Sequence, residues 1–396
     1  MHLSDEIQGF IEQNLNEPTD KLVLKIRQQL DIDPSFIIDQ INGRKKVSHK
    51  IPSWSGKELI FPPVVSFEQC SSEWTAKYKA SLIGGQKLID LTGGFGVDTY
   101  FLSEKFEHVH YFEQNEALLQ VVQHNFEQLG VTNTTFQQGD GVSLLKGIPQ
   151  KVDWIYLDPA RRDNQNSKVF LIEDCTPNIL QINDFLLTKA KNILVKLSPM
   201  LDLDQILLKV KGIQSITIVS VKNECKEILL HISKQHKELA AIPINSINIT
   251  QNKTDTFTAL APKRKLNHTE IQLSHPLACI YEPNKSILKG NTQNHLAEKL
   301  SIAKLHINSN FFTSKEEIPN FPGRTFQTID IIKLKKKQIN KHLDNGKANI
   351  IARNFPLTAS QIYEKFKIIP GGNIYLLATK LQNNDNVVIV CTKLGH

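Results

Sequence analysis

Acidic residues end several apolar runs in this sequence, and their types and spacing suit the binding of a nucleoside. Glu113 closes the run 110–112 and comes 23 residues after Asp90, which closes an earlier run. A carboxylate at the end of a second strand is well placed to accept hydrogen bonds from both ribose hydroxyls. Asp140 follows a third run and can receive the exocyclic amine of adenine. The sequence therefore predicts a site for an adenosine-containing cofactor at Asp90, Glu113 and Asp140.

A glycine-rich turn that reads T-G-G-F-G over 92–96 directly follows the first of these acids. Glycines let the backbone approach a ligand closely because no Cβ stands in the way. The helix expected after the turn offers free N–H groups and partial positive charge. A nicotinamide-binding turn would need G-x-G-x-x-G, and Thr99 stands where its third glycine belongs. The residues of the turn predicted to contact the cofactor are Thr92, Gly93, Gly94 and Gly96.

A loop that reads D-P-A-R-R over 158–162 follows the fourth apolar run. We predict that it forms the reaction side of the site, with Asp158 close enough to contact the cofactor as well. Arginine suits an acceptor that carries phosphate, because its planar fork bonds phosphate in two places. The alternative is that the two arginines form ion pairs within the loop. The catalytic candidates are Asp158, Pro159, Arg161 and Arg162.

Further polar and thiol residues occur near the ends of the predicted strands. Lys196, Ser198 and Asp202 follow the fifth apolar run, at the sheet edge where open α/β folds bind ligands. One of them can touch an acceptor, although the serine can equally cap a helix. Cys175 and Cys225 carry thiols, and we interpret both as apolar filler rather than as nucleophiles.

Alternation of short apolar runs with helical patterns predicts the fold that positions these residues. Helical stretches such as Glu116–Leu129 and Asn178–Ala190 separate most of the runs, which argues for a parallel sheet covered by helices. A last run follows the sixth almost at once, as an antiparallel hairpin would require. The predicted strands are Lys87–Leu91, His108–Phe112, Thr134–Gln137, Val152–Leu157, Asn192–Leu197, Ser215–Val221 and Glu227–Ile232.

The flanking regions have different patterns. Residues 1–65 form a separate N-terminal region, in which apolar positions over 5–40 have helical spacing. Residues 236–275 contain a polar stretch followed by basic residues, and they are predicted to be a linker. The region from His275 to the end mixes strand-like and helical segments around a turn at 370–372, which favours an α+β domain.

Composition limits the classes of protein to consider. The chain has 396 residues, enough for two or three domains of about 100–200 residues each. It has no run of about 18 apolar residues, so we expect no membrane segment. The N-terminus lacks the basic start and apolar stretch of a signal peptide. The five cysteines are dispersed and none forms C-x-x-C, so we expect no metal site and a cytoplasmic location.

Basic residues are clustered rather than spread evenly along the chain, whose net charge is +7. One cluster lies within 41–57, a second is Lys263–Lys265, and a third runs from Lys333 to Lys347. Separate basic patches are the expected footprint of a polyanionic partner such as RNA. The alternative is an ordinary solvated surface. We predict that the third cluster binds RNA through its phosphates.

Taken together, the motifs resemble those of class I methyltransferases that use S-adenosyl-L-methionine (SAM). D-L-T-G-G-F-G is similar to their first motif, with Asp90 at its acidic position. The resemblance implies SAM as cofactor, ribose binding by Glu113 and an adenine contact for Asp140. Asp158 and the proline after it are similar to the D-P-P or N-P-P signature beside the methyl-transfer centre. The resemblance spans roughly residues 66–232 and implies a Rossmann-like α/β sheet.

More specifically, the whole chain is similar to a bacterial methyltransferase family of unassigned substrate with a THUMP-like C-terminal domain. The resemblance implies a methyltransferase domain over 66–235, a ferredoxin-like segment over 276–321 and a THUMP-like domain over 322–396. THUMP domains in general bind structured RNA, usually from the N-terminal side of the enzyme. The motifs that carry this resemblance are E-Q-C-S-S-E from Glu68, L-D-P-A-R-R, K-L-S-P-M-L-D, Y-E-P-N from Tyr281, F-P-G-R from Phe321 and R-N-F-P from Arg353.

Two kinds of methyl acceptor are disfavoured by the residues of the reaction-side loop and of the segment after the fifth run. Enzymes that methylate exocyclic amines usually have a second proline and an aromatic residue where Ala160 and Arg161 stand here. RNA uridine C5-methyltransferases need a cysteine where Ser198 stands. The favoured function is methylation of a nucleotide in tRNA or rRNA. The alternatives are a small-molecule or protein methyltransferase and a non-catalytic protein that binds SAM or RNA.

Overall fold

The computed structural model divides the chain into two compact units. The first comprises Met1–Ser215 and Ile228–Leu239, and the second comprises Ile216–Glu227 and Ala240–His396. The chain therefore passes between the units three times, after residues 215, 227 and 239. The described residues are 3–30, 32–161, 171–234, 241–262, 271–343 and 345–395.

The first unit begins with helices, in agreement with the helical spacing over 5–40. Side-chain oxygens cap three of them: Ser4 accepts from the N–H of Ile7, Asp33 from the N–H of Ser35, and Ser72 from the N–H of Thr75. A 3₁₀ turn at Pro52–Trp54 follows the third helix. These helices are α1 (Asp5–Gln13), α2 (Thr19–Gln29), α3 (Pro34–Lys50), α4 (Val64–Gln69) and α5 (Glu73–Leu82).

A twisted α/β sheet forms the centre of the first unit, as predicted from the alternating runs. Its strand order is β9-β7-β4-β1-β2-β3. Every neighbouring pair is parallel except β7 with β9, which is antiparallel. The carboxyl ends of the parallel strands therefore meet at one edge. The strands of this order are β1 (Gly85–Asp90), β2 (Phe106–Glu113), β3 (Thr134–Gln138), β4 (Val152–Leu157), β7 (Ala190–Leu197) and β9 (Glu224–Ser233). A separate antiparallel pair is formed by β5 (Ala160–Arg161) and β6 (Cys175–Thr176), and most of β8 (Ile213–Val221) belongs to the second unit.

Helices connect the parallel strands, and side-chain caps fix where several of them begin. The Asn115 side chain accepts a hydrogen bond from the N–H of Leu118 at 3.0 Å. Asp140 accepts from the N–H of Ser143 at 2.8 Å. Both caps follow the carboxyl end of a strand, so they also fix the loops at that edge. The helices are α6 (Val97–Ser103), α7 (Glu116–Gln128), α8 (Gly141–Lys146), α9 (Ile179–Lys189) and α10 (Leu203–Lys209).

An aromatic cluster joins the N-terminal helices to the glycine-rich turn. The Trp54 ring lies 5.5 Å from Phe95 and 5.4 Å from Tyr100, both in edge-to-face geometry. Phe61 and Phe67 also contact the Phe95 ring, at 6.3 and 5.8 Å between centroids. Such pairs contribute about 0.5–1.5 kcal/mol each beyond the area that they bury. The N-terminal segment therefore supports the turn from behind.

The second unit contains a hairpin within 236–275, where the sequence predicted a linker. β10 (Ala241–Ile249) is parallel to β8 and antiparallel to β11 (Thr254–Pro262). The prediction failed because Ser246 and Asn248 look exposed in sequence but are buried and hydrogen-bonded. Asn248 Oδ1 accepts from the backbone N–H of Asn223 at 2.7 Å. Residues 235–240 and 263–270 lie outside the described residues.

A second, mostly antiparallel sheet follows in the order β13-β14-β12-β15-β18-β17-β16, in which β16 and β17 are parallel. Residues 370–372, predicted as a turn, lie instead within β17 at a register shift against β16. The elements are β12 (Cys279–Pro283), α11 (Lys285–Lys289), α12 (Gln293–Leu300), β13 (Ala303–Lys304), β14 (Phe312–Ser314), β15 (Gly323–Ile332), α13 (Lys336–Asn340), β16 (Lys347–Ala352), α14 (Ala359–Phe366), β17 (Ile369–Lys380) and β18 (Asn386–Lys393). Among the described helices of both units, none is long and apolar enough to cross a membrane.

Candidate active site

A cavity of about 410 Å³ opens at the carboxyl edge of the sheet in the first unit. Its volume lies in the range of roughly 300–1,000 Å³ that is common for small-molecule sites. The loops after β1, β2, β3 and β4 all contribute to its lining. The sequence-predicted residues that line it are Thr92, Gly93, Gly94, Gly96, Glu113, Asp140 and Asp158.

The glycine-rich turn forms one wall of the cavity, and two of its glycines have backbone conformations that other residues rarely adopt. Gly94 has φ +59° and Gly96 has φ +74°. A Cβ on Gly93 would lie 2.1 Å from the Tyr111 ring, so this position has no room for a side chain. A Cβ on Gly94 would meet nothing closer than 3.8 Å, because it would project into open space at the cavity.

Glu113 and Asp140 stand at the ends of β2 and β3 and line the same cavity. Glu113 Oε2 accepts from the N–H of Gly94 at 2.9 Å, and Oε1 accepts from the N–H of Asn115 at 2.8 Å. Asp140 Oδ2 accepts from the Gln114 side chain at 3.0 Å. A carboxylate offers about four lone-pair positions, so both groups can accept further hydrogen bonds from a ligand.

Asp90 lies behind the turn rather than on the cavity. Its carboxylate is 1% exposed, Oδ1 accepts from the N–H of Thr92 at 3.0 Å, and Oδ2 accepts from the hydroxyl of Thr99. Burial raises the pKa of Asp90 to about 7, although both hydrogen bonds oppose this. Asp90 does not line the cavity, and its direct contact with a cofactor stays a prediction. Asp90 instead holds the start of the turn and the first helix after it.

The raised pKa of Asp90 predicts a pH-dependent stability. Because its pKa is about 7 in the folded chain and 3.8 ordinarily, the unfolded chain releases this proton first as pH rises. The free energy of unfolding of the parent, relative to Asp90→Asn, is therefore expected to fall between pH 4 and 7 and to level off above. Urea denaturation of both proteins across this range measures it. A difference that does not vary with pH would contradict the expectation.

Asp98 forms a buried ionic cluster beside the cavity, and sequence reasoning missed it. Its carboxylate accepts from the hydroxyls of Tyr156 at 2.7 Å and Ser71 at 2.8 Å. The ammonium groups of Lys79 and Lys196 lie 3.1 and 3.7 Å away. Burial alone would raise the pKa of Asp98, but the two ammonium groups outweigh it and lower the pKa to about 2. Asp98 is therefore ionised throughout the physiological pH range.

Lys196 connects this cluster to Asp158. Its Nζ lies 2.5 Å from Oδ2 of Asp158, whose side chain is 39% exposed at the cavity. The backbone N–H of Asp158 donates to the Thr92 hydroxyl at 2.6 Å, which ties the reaction-side loop to the glycine-rich turn. Asp158 is thus fixed at two points while one face stays open to a ligand. Lys196, one of three residues considered after the fifth run, lines the cavity.

The other predicted members of the loop have different outcomes. Pro159 is buried and is absent from the cavity lining, where Ala160 appears instead. Arg161 belongs to β5, which pairs with β6, but its side chain is outside the described part of the structure. Arg162 lies outside the described residues altogether. Their role as acceptor contacts therefore stays a prediction.

The thiols of the first unit and its border are poor candidates for nucleophiles. Cys70 lines the cavity, and burial raises its pKa to about 11. Burial also raises the pKa of Cys175 and of Cys225. A thiol attacks as the thiolate, so these groups are inactive near neutral pH. This agrees with the interpretation of Cys175 and Cys225 as apolar filler.

Comparison with solved structures identifies the family. A protein from Porphyromonas gingivalis W83, provisionally named a methyltransferase, is 30% identical, and the match covers 100% of both chains with a TM-score of 0.88. This chain belongs to the same methyltransferase family. A ferredoxin-like domain matches residues 280–322, and a THUMP domain-like domain matches residues 323–393.

Other solved structures resemble only part of this methyltransferase. An rRNA methylase from Streptococcus thermophilus is 14% identical, covering 41% of this chain and 95% of its own, with a TM-score of 0.31. TrmK from M. capricolum, in complex with S-adenosyl-homocysteine, is 16% identical, covering 42% of this chain and 71% of its own, with a TM-score of 0.33. Likeness at this level does not establish an activity. No curated protein matches the chain.

The basic clusters of the methyltransferase differ in their surroundings. In the first, Lys46 pairs with Glu68, and Lys50 donates to the carbonyl of Phe67 at 2.7 Å. Much of that cluster therefore holds the N-terminal helices to the segment before α5. The lysines of 335–337 are exposed at the start of α13, whereas Lys263–Lys265 lie outside the described residues.

Proposed function

We propose that this protein is a SAM-dependent methyltransferase whose active site is the cavity at the carboxyl edge of β1–β4. The observation that carries the proposal is the convergence of the glycine-rich turn, Glu113, Asp140 and Asp158 on one cavity. The open side of Gly94 leaves space beside two carboxylates that can accept further hydrogen bonds. This donor and acceptor set fits a ligand with an adenine amine, ribose hydroxyls and a flexible tail.

Each residue has a distinct role in this proposal. Glu113 would accept from the ribose hydroxyls, Asp140 would accept from the adenine amine, and the open side of Gly94 would leave room for the rest of the cofactor. When bound, SAM supplies an electrophilic methyl group on a sulfonium centre. Asp158, held by Lys196 at 2.5 Å, would orient the acceptor for in-line attack, because methyl transfer depends chiefly on alignment and exclusion of water.

We further propose that the acceptor is a nucleotide in tRNA or rRNA. The THUMP-like domain at 323–393 and the net charge of +7 support this choice over a small-molecule or protein acceptor. The test is incubation with radiolabelled SAM and RNA from cells that lack the protein, followed by nucleoside mass spectrometry. Transfer of label to a defined nucleoside is expected. Label that appears only in protein or small molecules would contradict the RNA proposal.

Glu113→Ala is expected to weaken SAM binding by about 1–3 kcal/mol, the typical value of hydrogen bonds to a charged group. Isothermal titration calorimetry with SAM measures this directly. Glu116→Ala is the matched control, because Glu116 is an exposed acid in the first turn of α7 that does not line the cavity. If both variants bound SAM as tightly as the parent, ribose recognition by Glu113 would be wrong.

A further inference from the structure

Three motifs that the proposed active site does not use converge in the second unit. They are Y-E-P-N on β12, F-P-G-R at the start of β15 and R-N-F-P after β16. Glu282 Oε2 accepts from Nε of Arg324 at 2.8 Å, and Oε1 accepts from Nε of Arg353 at 3.0 Å. The Glu282 carboxylate is buried, with 4% of its side chain exposed. One buried acid therefore holds an arginine on β15 and an arginine that directly follows β16.

This arrangement carries more positive charge than the buried acid requires. One guanidinium balances one carboxylate, so the second leaves an excess positive charge. The side chains of Arg324 and Arg353 remain 32% and 38% exposed. Because Glu282 fixes both forks, an anion that binds them meets guanidinium groups that are already ordered. A planar fork with donors to spare is the preferred partner of phosphate.

Arg324 also lies between two cavities of the second unit. A cavity of about 480 Å³ is lined by both Arg324 and Arg353. Another, of about 310 Å³, is lined by Arg324 together with Lys222, Lys253 and Lys393. Among the described residues that line the two cavities, Asp255 supplies the one carboxylate, and it pairs with Lys253 at 3.1 Å. Five cations thus border two cavities that share Arg324, and these cavities have few acids in their lining.

We propose that this region, the basic cleft of Lys222, Lys253, Arg324, Arg353 and Lys393, binds the phosphodiester backbone of the RNA acceptor. A single free phosphate would need only one arginine fork, whereas cations in two adjoining cavities suit successive phosphates of one strand. The inference rests on the proposed RNA acceptor and deepens it. It differs from the prediction for Lys333–Lys347, since no residue of that cluster lines either cavity.

The test compares two triple variants of the full chain. Lys222→Gln, Lys253→Gln and Lys393→Gln together remove three charges from the basic cleft. Lys335→Gln, Lys336→Gln and Lys337→Gln remove three charges from the exposed cluster that the sequence predicted to bind RNA, so the two triple variants compare the two candidate sites directly. All six lysines are exposed, which keeps the effect on folding small. The probe is end-labelled total bacterial RNA in filter binding at several salt concentrations.

We expect the cleft variant to bind RNA roughly tenfold or more weakly at low salt. Its plot of log affinity against log salt should flatten by roughly one unit for each phosphate that the variant no longer neutralises. Arg353→Lys keeps the charge but loses the fork, and it should weaken binding with little change in slope. The variant of Lys335, Lys336 and Lys337 should lose clearly less affinity than the cleft variant, and that result would contradict the sequence-based prediction for the cluster.

Several results would contradict the proposal that the basic cleft binds RNA. They are equal losses in the two triple variants, a larger loss in the variant of Lys335, Lys336 and Lys337, unchanged binding by the cleft variant, and no RNA binding by the parent. The proposal would also be wrong if the cleft variant bound RNA as the parent does and lost only its affinity for inorganic phosphate. That result would indicate a site for a small anion. Isothermal titration calorimetry of SAM with the same proteins measures cofactor binding independently of RNA binding. A parent that binds RNA through the basic cleft but does not bind SAM would contradict the proposed function alone.

Discussion

Gly94→Val is expected to abolish SAM binding. The backbone at Gly94 has φ +59°, which a β-branched residue adopts only with strain of about 1–3 kcal/mol. The added side chain would also occupy the open space at the cavity, where a Cβ meets no atom closer than 3.8 Å. It would displace the ligand and disturb the N–H that donates to Glu113 at 2.9 Å. Calorimetry should therefore detect no binding under conditions that saturate the parent.

Gly130→Val separates the loss of space from the backbone strain. Gly130 has φ +75°, and a Cβ there meets nothing within 4 Å, but it lies after α7 and does not line the cavity. This variant should lose stability in urea denaturation as Gly94→Val does, and it should bind SAM normally. Gly94→Val that retained the affinity of the parent would sink the assignment of the turn as the cofactor site.

Asp158→Ala is expected to lose methyl transfer by roughly 10²-fold or more while it keeps most of its SAM affinity. A loss of about 10²-fold is typical when an acceptor is misplaced by about 1 Å. Here the carboxylate is held by Lys196 and faces the cavity, and its loss removes the group that would align the acceptor. The measurement is turnover of labelled SAM on the RNA acceptor, with SAM affinity determined in parallel.

Asp153→Ala is the control for the catalytic prediction, because Asp153 lies at the opposite end of β4. Its carboxylate accepts from the N–H groups of Gln86 and Lys87 and pairs with Lys191, so its loss affects stability without reaching the cavity. Asp158→Asn adds a variant that preserves the shape of the loop. If Asp158→Ala turned over at the rate of the parent, this loop would not be the reaction centre.

Most of the strands that position the site could be predicted because they are short apolar runs with buried residues, as in β1 and β4. The exception is β3, in which no residue is buried. β4 has the predicted bounds of Val152–Leu157, and the acids at the strand ends were visible by position alone. Burial was not visible. Lys77 and Lys79 lie two residues apart on α5, yet the first side chain is 59% exposed and the second is fully buried against Asp98. Only the tertiary fold distinguishes them.

The direction of a side chain was likewise outside what the sequence pattern could predict. Asp90 occupies the position expected of a ligand contact, but Thr99 on the following helix turns its carboxylate inward. The polar residues Ser246 and Asn248 suggested an exposed linker. Their hydrogen-bond partners, Ser286 and Asn223, lie on other segments of the chain, so no sequence pattern indicated that these side chains are buried. In each case the direction of the side chain depends on a hydrogen bond to a residue that no sequence motif identifies as its partner.

The aromatic cluster of Trp54, Phe61, Phe67 and Phe95 bears on how this domain can be inherited and engineered. Phe95 belongs to the glycine-rich turn itself, and its buried ring is covered by residues that precede β1. A fragment that begins at β1 would lack these residues, so the Phe95 ring would be exposed to solvent behind the glycine-rich turn. The segment from Trp54 to the start of β1 is therefore part of the structural support of the turn. Transplanting the sheet onto another protein requires at least this segment as well.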